Sequence, residues 1–299
     1  MKKIFKISKE IEPFDKKIEV DGDKSLSIRW GLLASLAKGK STAYNLPRSE
    51  DVMSTLKCLR KIGISVNLKR KKCIINGKGI NFKPKKKIIL NAGNSGTLGR
   101  LILGMNANFT NKLKLIGDRS LSRRDFSRII NPLKKFGVRF SSKKNFLPIT
   151  MTGSNYLKPI KYFENRGSAQ CKSSVMFAAL KTKGTCYIKA KKSRDHTELL
   201  FKYLNLPLKI RKTKKYDFIK IKGVKKIKSL NYNIPGDISS SAFFIVLTIL
   251  SKKSKILIKN INVNSSRTGL IEILKKMGAK INIKNKKNIK VKLLEIFWL

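Results

Sequence analysis

The side chains best suited to chemistry fall in short clusters of glycine, hydroxyl and cationic residues. The first is Gly22-Asp23-Lys24-Ser25-Leu26-Ser27-Ile28-Arg29. A helical apolar pattern follows it at once, with Ile28, Leu32, Leu33, Leu36 and Ala37 on one stripe. Asp23, Ser25 or Ser27 stands where a cap belongs. The first turn of a helix presents N–H groups and partial positive charge, and Lys24 and Arg29 add full charges, so the stretch suits an anion. Related clusters open at Gly93-Asn94-Ser95-Gly96-Thr97, Gly167-Ser168-Ala169-Gln170 and Gly236-Asp237-Ile238-Ser239. They recur at intervals of about 70 residues. One such cap is unremarkable. Its recurrence beside Arg and Lys points to a site for polyanions assembled from several loops.

The elements that must position these clusters also repeat. Helical apolar segments run over 27–38, 97–106, 170–181 and 239–250. Each leads to a β-like run, at Ser41–Asn45, Leu113–Ile116, Thr185–Lys189 and Lys255–Lys259. Next comes a second polar loop: Pro47-Arg48-Ser49-Glu50-Asp51, Ser122-Arg123-Arg124-Asp125, Ser193-Arg194-Asp195 or Ser265-Ser266-Arg267-Thr268. A second amphipathic helix follows and stops at Gly63, Gly137, Asn205 or Gly278, residues that accept the left-handed conformation. Two more β-like runs close each repeat, and a strand is expected to feed each first helix. The pattern is that of an α/β protein whose helices bury apolar faces against sheets.

Composition narrows the function classes. The chain has 299 residues, enough for two domains, and a formal net charge of +52 from 69 Lys and Arg against 17 Asp and Glu. The lysines are spread over the whole length, and Asn and Ile, whose codons are A/T-rich like those of Lys, are also abundant, so base composition accounts for much of the charge. The densest runs, Lys83 to Lys87 and Lys209 to Lys228, read as solvated loops and strand edges. Aromatics are not expected to interleave with them as in a single-strand-binding surface, so nucleic acid is not expected as a partner despite the charge. Cys58, Cys73, Cys171 and Cys186 show no C-x-x-C spacing and His196 is the single histidine, so neither a metal site nor a Cys/His nucleophile pair is expected. Met1 to Lys9 lacks the apolar core of a signal peptide, and the apolar run Ala242 to Leu250 is too short to span a bilayer. A cytoplasmic chain is expected.

The clusters, in order, resemble those of the 5-enolpyruvylshikimate-3-phosphate (EPSP) synthase family. The resemblance runs from about Glu19 to about Ile283. It rests on the first cluster, on Arg48-Ser49-Glu50-Asp51-Val52, on Gly93 to Arg100 and on Gly117-Asp118-Arg119-Ser120-Leu121-Ser122-Arg123-Arg124. Ser168 to Ser173, Ser193 to Glu198, Pro235 to Ser240 and Arg267-Thr268-Gly269 complete it. It implies an enolpyruvyl-transferase-like α/β fold of two lobes built from repeated βαβαββ units, about four of the family's six being present. Residues 24–235 would form one lobe; 1–23 with 236–299 would form the start of the other. The implied reaction transfers the enolpyruvyl group of phosphoenolpyruvate to the 5-hydroxyl of shikimate 3-phosphate and releases phosphate, a step of the shikimate pathway towards chorismate and the aromatic amino acids. It needs no cofactor or metal, and a monomer is expected.

Carried over by position, Lys24, Ser25, Arg29, Ser168, Ala169, Gln170 and Arg194 would hold shikimate 3-phosphate. Lys24, Asn94, Gly96, Arg124 and Gln170 would hold phosphoenolpyruvate. His196 receives no proton-transfer role. Asp125 departs from the proline usual after the arginine matching Arg124, which puts the local loop shape in question. The family's proton-transfer carboxylates would lie in units beyond this chain's end, so no catalytic residue is assigned and turnover by the chain as given is expected to be poor. The chain is expected to end inside the fourth repeat and to leave an apolar face of it exposed. The run Val291 to Leu299 does not match the family's continuation and reads as out-of-frame translation. Two alternatives stand beside this reading. One is the related UDP-N-acetylglucosamine enolpyruvyl transferase, against which stand Ser25, where that family has asparagine, and the absence of its reactive loop cysteine. The other is a basic polyanion-binding protein without catalysis.

Overall fold

Strand, helix, strand, helix, strand, strand is the order in which each recurring segment folds. The structure, a computed structural model, describes residues 11–84, 86–285 and 292–297. The chain begins with β1 (Asp15–Glu19), α1 (Lys24–Leu36), β2 (Lys38–Tyr44), α2 (Glu50–Ile62), β3 (Ser65–Lys69) and β4 (Lys72–Lys78). The second segment has β5 (Ile88–Asn91), α3 (Gly96–Met105), β6 (Lys112–Ile116), α4 (Arg119–Ser122), α5 (Ser127–Lys135), β7 (Arg139–Ser141) and β8 (Ile149–Thr152). The third has β9 (Lys161–Glu164), α6 (Ala169–Ala179), β10 (Thr185–Lys191), α7 (His196–Tyr203), β11 (Leu208–Lys212) and β12 (Tyr216–Lys222). Then come β13 (Asn231–Asn233), α8 (Ile238–Leu250), β14 (Lys255–Ile261), α9 (Gly269–Lys276), β15 (Lys280–Asn285) and β16 (Lys292–Phe297).

The strands form four-stranded sheets of one topology: β13-β2-β4-β3, β5-β6-β8-β7, β9-β10-β12-β11 and β1-β14-β16-β15. In each, the first two strands are parallel and joined by a helical crossover where they are consecutive. The last strand inserts antiparallel between the second and third. Sequence dictates the ends of the second helices. In α2, Glu50 and Asp51 sit in the first turn and Arg60 and Lys61 in the last, complementing the helix dipole. Gly63, Gly137, Gly278 and Asn205 all have positive φ and stop their helices as the sequence requires.

Residues 24–234 form one compact unit, and the described residues of 1–23 and 235–299 form another. The first strands are exchanged between them. β1 leads into α1 but pairs with β14, whereas β13 pairs with β2 but leads into α8. At the exchange the two connections run side by side: Asp23 N donates to Pro235 O at 2.8 Å, and Asp237 N to Asp21 O at 2.9 Å. A Cβ on Gly236 would lie 2.7 Å from Val20 Cγ2, so that position admits glycine alone without a shift.

Within residues 24–234, the first helix of each repeat is central. Every residue of α1 from Leu26 to Leu36 is buried, as is every residue of α6 from Cys171 to Ala179. Helices enclosed on all sides show little amphipathic contrast, and Arg29 and Lys172 are buried on the same helices as Trp30 and Phe177. The second helices are two-faced, as α2 shows by burying Val52, Leu56, Leu59 and Ile62.

Three expectations change. The helix expected from residue 27 begins at Lys24, so Lys24 and Ser25 lie in its first turn. Asp23 is no simple cap: it is buried and accepts from Arg267 Nη1 at 2.8 Å and Asn262 Nδ2 at 3.1 Å. Nor does the described chain stop inside the fourth repeat, because β16 pairs with both β14 and β15. The N-terminal Met1 to Lys9, and Val291, Trp298 and Leu299 of the terminal run, lie outside the described residues. The expected apolar exposure is present on α8, at Phe243, Leu247 and Leu250, and at Ile273 of α9 and Met277 just past its end.

Candidate anion-binding site

Several of the singled-out residues meet where α3 and α6 begin. Ser95 caps α3, its Oγ accepting from Leu98 N at 3.2 Å, which leaves Gly96 as the first helical residue. Arg100 lies one turn along the same face and its guanidinium returns towards the helix start. Its Nη1 donates to Gln170 Oε1 at 2.8 Å and to Gly96 O at 3.3 Å. Gln170 Nε2 donates in turn to Thr97 Oγ1 at 3.0 Å. Gln170 therefore bridges the first turns of two helices.

Arg124 approaches from the loop after α4. Its Nη2 reaches Asn94 Oδ1 and Ser120 Oγ, both at 3.4 Å. Asn94 donates to Asp118 Oδ2 at 2.6 Å. Asp118 also caps α4 through Leu121 N at 2.7 Å. A Cβ on Gly96 would stand 2.7 Å from Arg100 Nη1 and 2.9 Å from Arg124 Nη1. Two guanidinium tips thus face a bare backbone at a helix N-terminus, a geometry suited to a phosphate or carboxylate.

The electrostatics agree. Burial first, and then the neighbouring Arg124 and Arg128, pull the Arg100 guanidinium below its ordinary value. An anion placed among these groups would reverse that shift. Asp118 is held below the usual carboxylate range, chiefly by the Leu121 N–H and then by Asn94. Asp125 is lowered too, first by the Ser127 hydroxyl. Its carboxylate also accepts from Ser127 N at 2.7 Å, so the residue in the place of a proline organises the start of α5 with a side-chain turn instead.

The other assigned residues are more dispersed. Arg29 is 3% exposed. Its Nε donates to Thr197 Oγ1 at 2.8 Å, Nη2 to Ser173 Oγ at 3.3 Å and Nη1 to Ser25 O at 3.0 Å. It joins the N-terminal halves of α1, α6 and α7 from within. Lys24 Nζ meets Asp51 Oδ2, with the lysine side chain 46% exposed. Ser168 caps α6, its Oγ accepting from Cys171 N at 3.2 Å, and Ala169 is the first helical residue. The Ser168 N–H donates to buried Glu164 at 2.7 Å, and Glu164 also takes Arg128 Nη2 at 2.6 Å. Arg194 is exposed just ahead of α7.

The fourth loop departs from the others. Arg267 Nη1 is spent on Asp23 and its Nη2 on Asp237 at 3.0 Å and Ser239 Oγ at 2.6 Å. The cluster of Gly236 to Ser239 thus serves the crossing connections. Sequence reasoning gave no role to Arg100, Thr97, Ser173 or Thr197. Arg100 was legible as the residue one helical turn from Gly96. The pairing of Arg29 with Ser173 and Thr197 spans more than 140 residues of chain and carried no local signal.

Among the described residues no cluster of His, Cys, Asp and Glu is placed to hold a metal ion. The four cysteines are buried thiols, and burial pushes Cys58 and Cys73 up to about 12. His196 is buried at the first position of α7, two residues ahead of Glu198, which forms a buried pair with Lys172. Burial raises the Glu198 carboxyl, with Lys172 opposing the shift. Among the described residues no helix is long and apolar enough to cross a membrane.

Repeated four-stranded sheets of one topology, with arginine and glycine gathered at helix N-termini, define an α/β protein built from recurring units. The chain belongs to the EPSP synthase (3-phosphoshikimate 1-carboxyvinyltransferase) family, whose sequence profile matches residues 8–296. That match reaches into β16 and overturns the reading of the terminal run as unmatched and out of frame. A 3-phosphoshikimate 1-carboxyvinyltransferase of Petrotoga mobilis is 40% identical over 283 residues, covering 93% of this chain and 65% of the relative. One of Streptococcus pyogenes is 38% identical over 272 residues, covering 90% and 63%. An EPSP synthase structure from Acinetobacter baumannii superposes with a TM-score of 0.85 at 31% identity, over 96% of this chain and 65% of that one. The chain therefore spans about 65% of the length of the Petrotoga relative.

Proposed function

We propose that this chain acts in the transfer of the enolpyruvyl group of phosphoenolpyruvate to the 5-hydroxyl of shikimate 3-phosphate, in the cytoplasm, by binding and orienting the two anions. The observation that carries the proposal is the pair of guanidinium tips of Arg100 and Arg124 facing Gly96 at the start of α3. Asn94, Gly96, Arg124 and Gln170 take phosphoenolpyruvate. Ser25, Arg29, Ser168, Ala169, Gln170 and Arg194 take shikimate 3-phosphate, and Lys24 serves both. Charge-assisted hydrogen bonds from arginine fix the direction of a phosphate as well as its position. Holding donor and acceptor together removes the entropic cost of their encounter. The proposal assigns proton transfer to none of these residues. The names of the relatives favour this reading over the UDP-N-acetylglucosamine enzyme, as does Ser25 after Lys24.

Titration calorimetry of the full chain with each substrate tests it. Shikimate 3-phosphate is expected to bind, and Lys24→Ala is expected to weaken it at least about tenfold, the scale of one lost charge-assisted contact. Arg124→Ala is expected to weaken phosphoenolpyruvate by a similar factor. Absence of binding heat for both ligands, or full affinity in both variants, would reject the assignment.

A further inference from the structure

The outer face of the third sheet carries a pattern that the anion site does not use. Strand alternation turns Ile188, Ala190, Ile219 and Ile221 inward, and turns Tyr187, Lys189, Phe218 and Lys220 outward. The register then sets aromatic against cation. Tyr187 lies opposite Lys161 on one side and Lys220 on the other. Lys189 lies between Phe163 and Phe218, and Arg211 is opposite Phe218. The Lys189 ammonium is 4.9 Å from the Phe163 ring centre and 4.7 Å from that of Tyr216. Arg211 stands 4.4 Å over Phe218 and Lys220 5.6 Å over Tyr187.

Two of the rings are open to solvent, Phe163 being 49% and Tyr187 47% exposed, and Phe218 is half-buried under Arg211. Between them lies a shallow trough of about 570 Å³. The only carboxylates on these four strands, Glu164 and Asp217, are buried on the inner side. The fold does not impose this face. The first sheet has the same topology and presents Tyr44 as its lone exposed aromatic, and the second presents Ile89 in place of a ring. The sequence expectation that aromatics do not interleave with the basic runs is therefore corrected. Tyr216 and Phe218 stand inside the Lys209 to Lys228 run itself, and strand register sets further rings against cations.

We propose that the outer face of the β9-β10-β12-β11 sheet is a binding surface for single-stranded nucleic acid, bases stacking on Phe163, Tyr187 and Phe218 while Lys189, Arg211 and Lys220 meet phosphates. A flat sheet with exposed rings offers stacking to unpaired bases, which a duplex keeps inside its own stack. Surrounding cations without carboxylates offer the backbone its neutralising charge. A small anion would leave the rings idle, and an apolar partner would have to bury the lysines unpaired.

Fluorescence anisotropy of the full chain with a labelled twelve-nucleotide oligo(U) or oligo(dT) tests this against the chain's general positive charge. Phe163→Leu with Tyr187→Leu leaves the charge unchanged. It is expected to weaken binding by roughly 25-fold or more, about fivefold per lost stacking contact, without altering the salt dependence. Lys40→Gln with Lys78→Gln, on the first sheet, removes two charges elsewhere and is expected to change affinity by less than about threefold. Arg211→Gln with Lys220→Gln alters only surface charge and keeps the test open if the leucine variant unfolds. It is expected to reduce the slope of log affinity against log salt by about 1.4. Lack of binding, equal binding of a duplex of the same length, or equal losses from the first and third sheets would overturn the proposal.

Discussion

Gly96 decides more than its size suggests. A methyl group there would press on Arg100 Nη1 and Arg124 Nη1, both ends of flexible side chains that can swing aside. Gly96→Ala is therefore expected to leave stability within about 1 kcal/mol of wild type, the gain in helix propensity offsetting the displacement. The same movement opens the gap between two charge-assisted donors. Phosphoenolpyruvate affinity is expected to fall roughly tenfold, with shikimate 3-phosphate affected less, because Ser25 and Arg29 approach from α1. Calorimetry with both ligands checks this, and unchanged phosphoenolpyruvate binding would move the anion away from Gly96. Of this cluster, Asn94, Gly96, Arg124 and Gln170 were legible as residue types at repeating helix starts. Arg29 was legible as a cation, but its burial was not, because a helix enclosed on all faces has no polar side to betray the arginine's neighbours.

At the scale of elements, two glycines of α3 sort packing from propensity. Gly104 faces α6 so closely that a Cβ would lie 2.1 Å from the Ser174 carbonyl oxygen. Backbone cannot yield as a side-chain tip can, so Gly104→Ala is expected to cost about 1–3 kcal/mol. Gly99, five residues earlier, would place a Cβ at 3.5–3.6 Å from Phe126, Ala92 and Leu121, ordinary contact distances. Gly99→Ala is expected to be neutral or to add about 0.5–1 kcal/mol. Urea unfolding of both variants measures the difference, and equal effects would mean that the α3–α6 contact does not limit the helix. Helix and strand order could be read directly, since apolar period and positive-φ stops act locally. The exchange of β1 and β13 could not, because each strand's partner is set by residues some 190 to 240 positions away. The cation–aromatic face of the third sheet was largely hidden for the same reason: Phe163 and Tyr187 meet their cations across strands.

Over the whole molecule the two cores are unequal. The unit of residues 24–234 buries a continuous apolar cluster from Leu26 to Ile234. The other gathers Val20, Ile238, Ile245, Ile256, Ile258, Ile261, Ile271 and Ile281, while Phe243, Leu250 and Met277 stay more than three-quarters exposed. So small a core leans on its polar anchor. Arg267 is 3% exposed and bonds Asp23, which is fully buried, and Asp237. Both carboxylates lie on the crossing connections that close the β1-β14-β16-β15 part of the chain. Removing the guanidinium would leave buried negative charge facing negative charge, a loss of about 3–5 kcal/mol where a buried pair is broken from one side. Most of that loss falls on the smaller core. Arg267→Ala is thus expected to speed hydrogen exchange in α8 and β14 while amides of α1, α3 and α6 keep their protection. Arg267→Lys restores one charge but not the two-pronged geometry, and should recover only part of the protection. Uniform loss across all five elements would instead mean that the two cores open together and that the crossing carries stability for the entire chain.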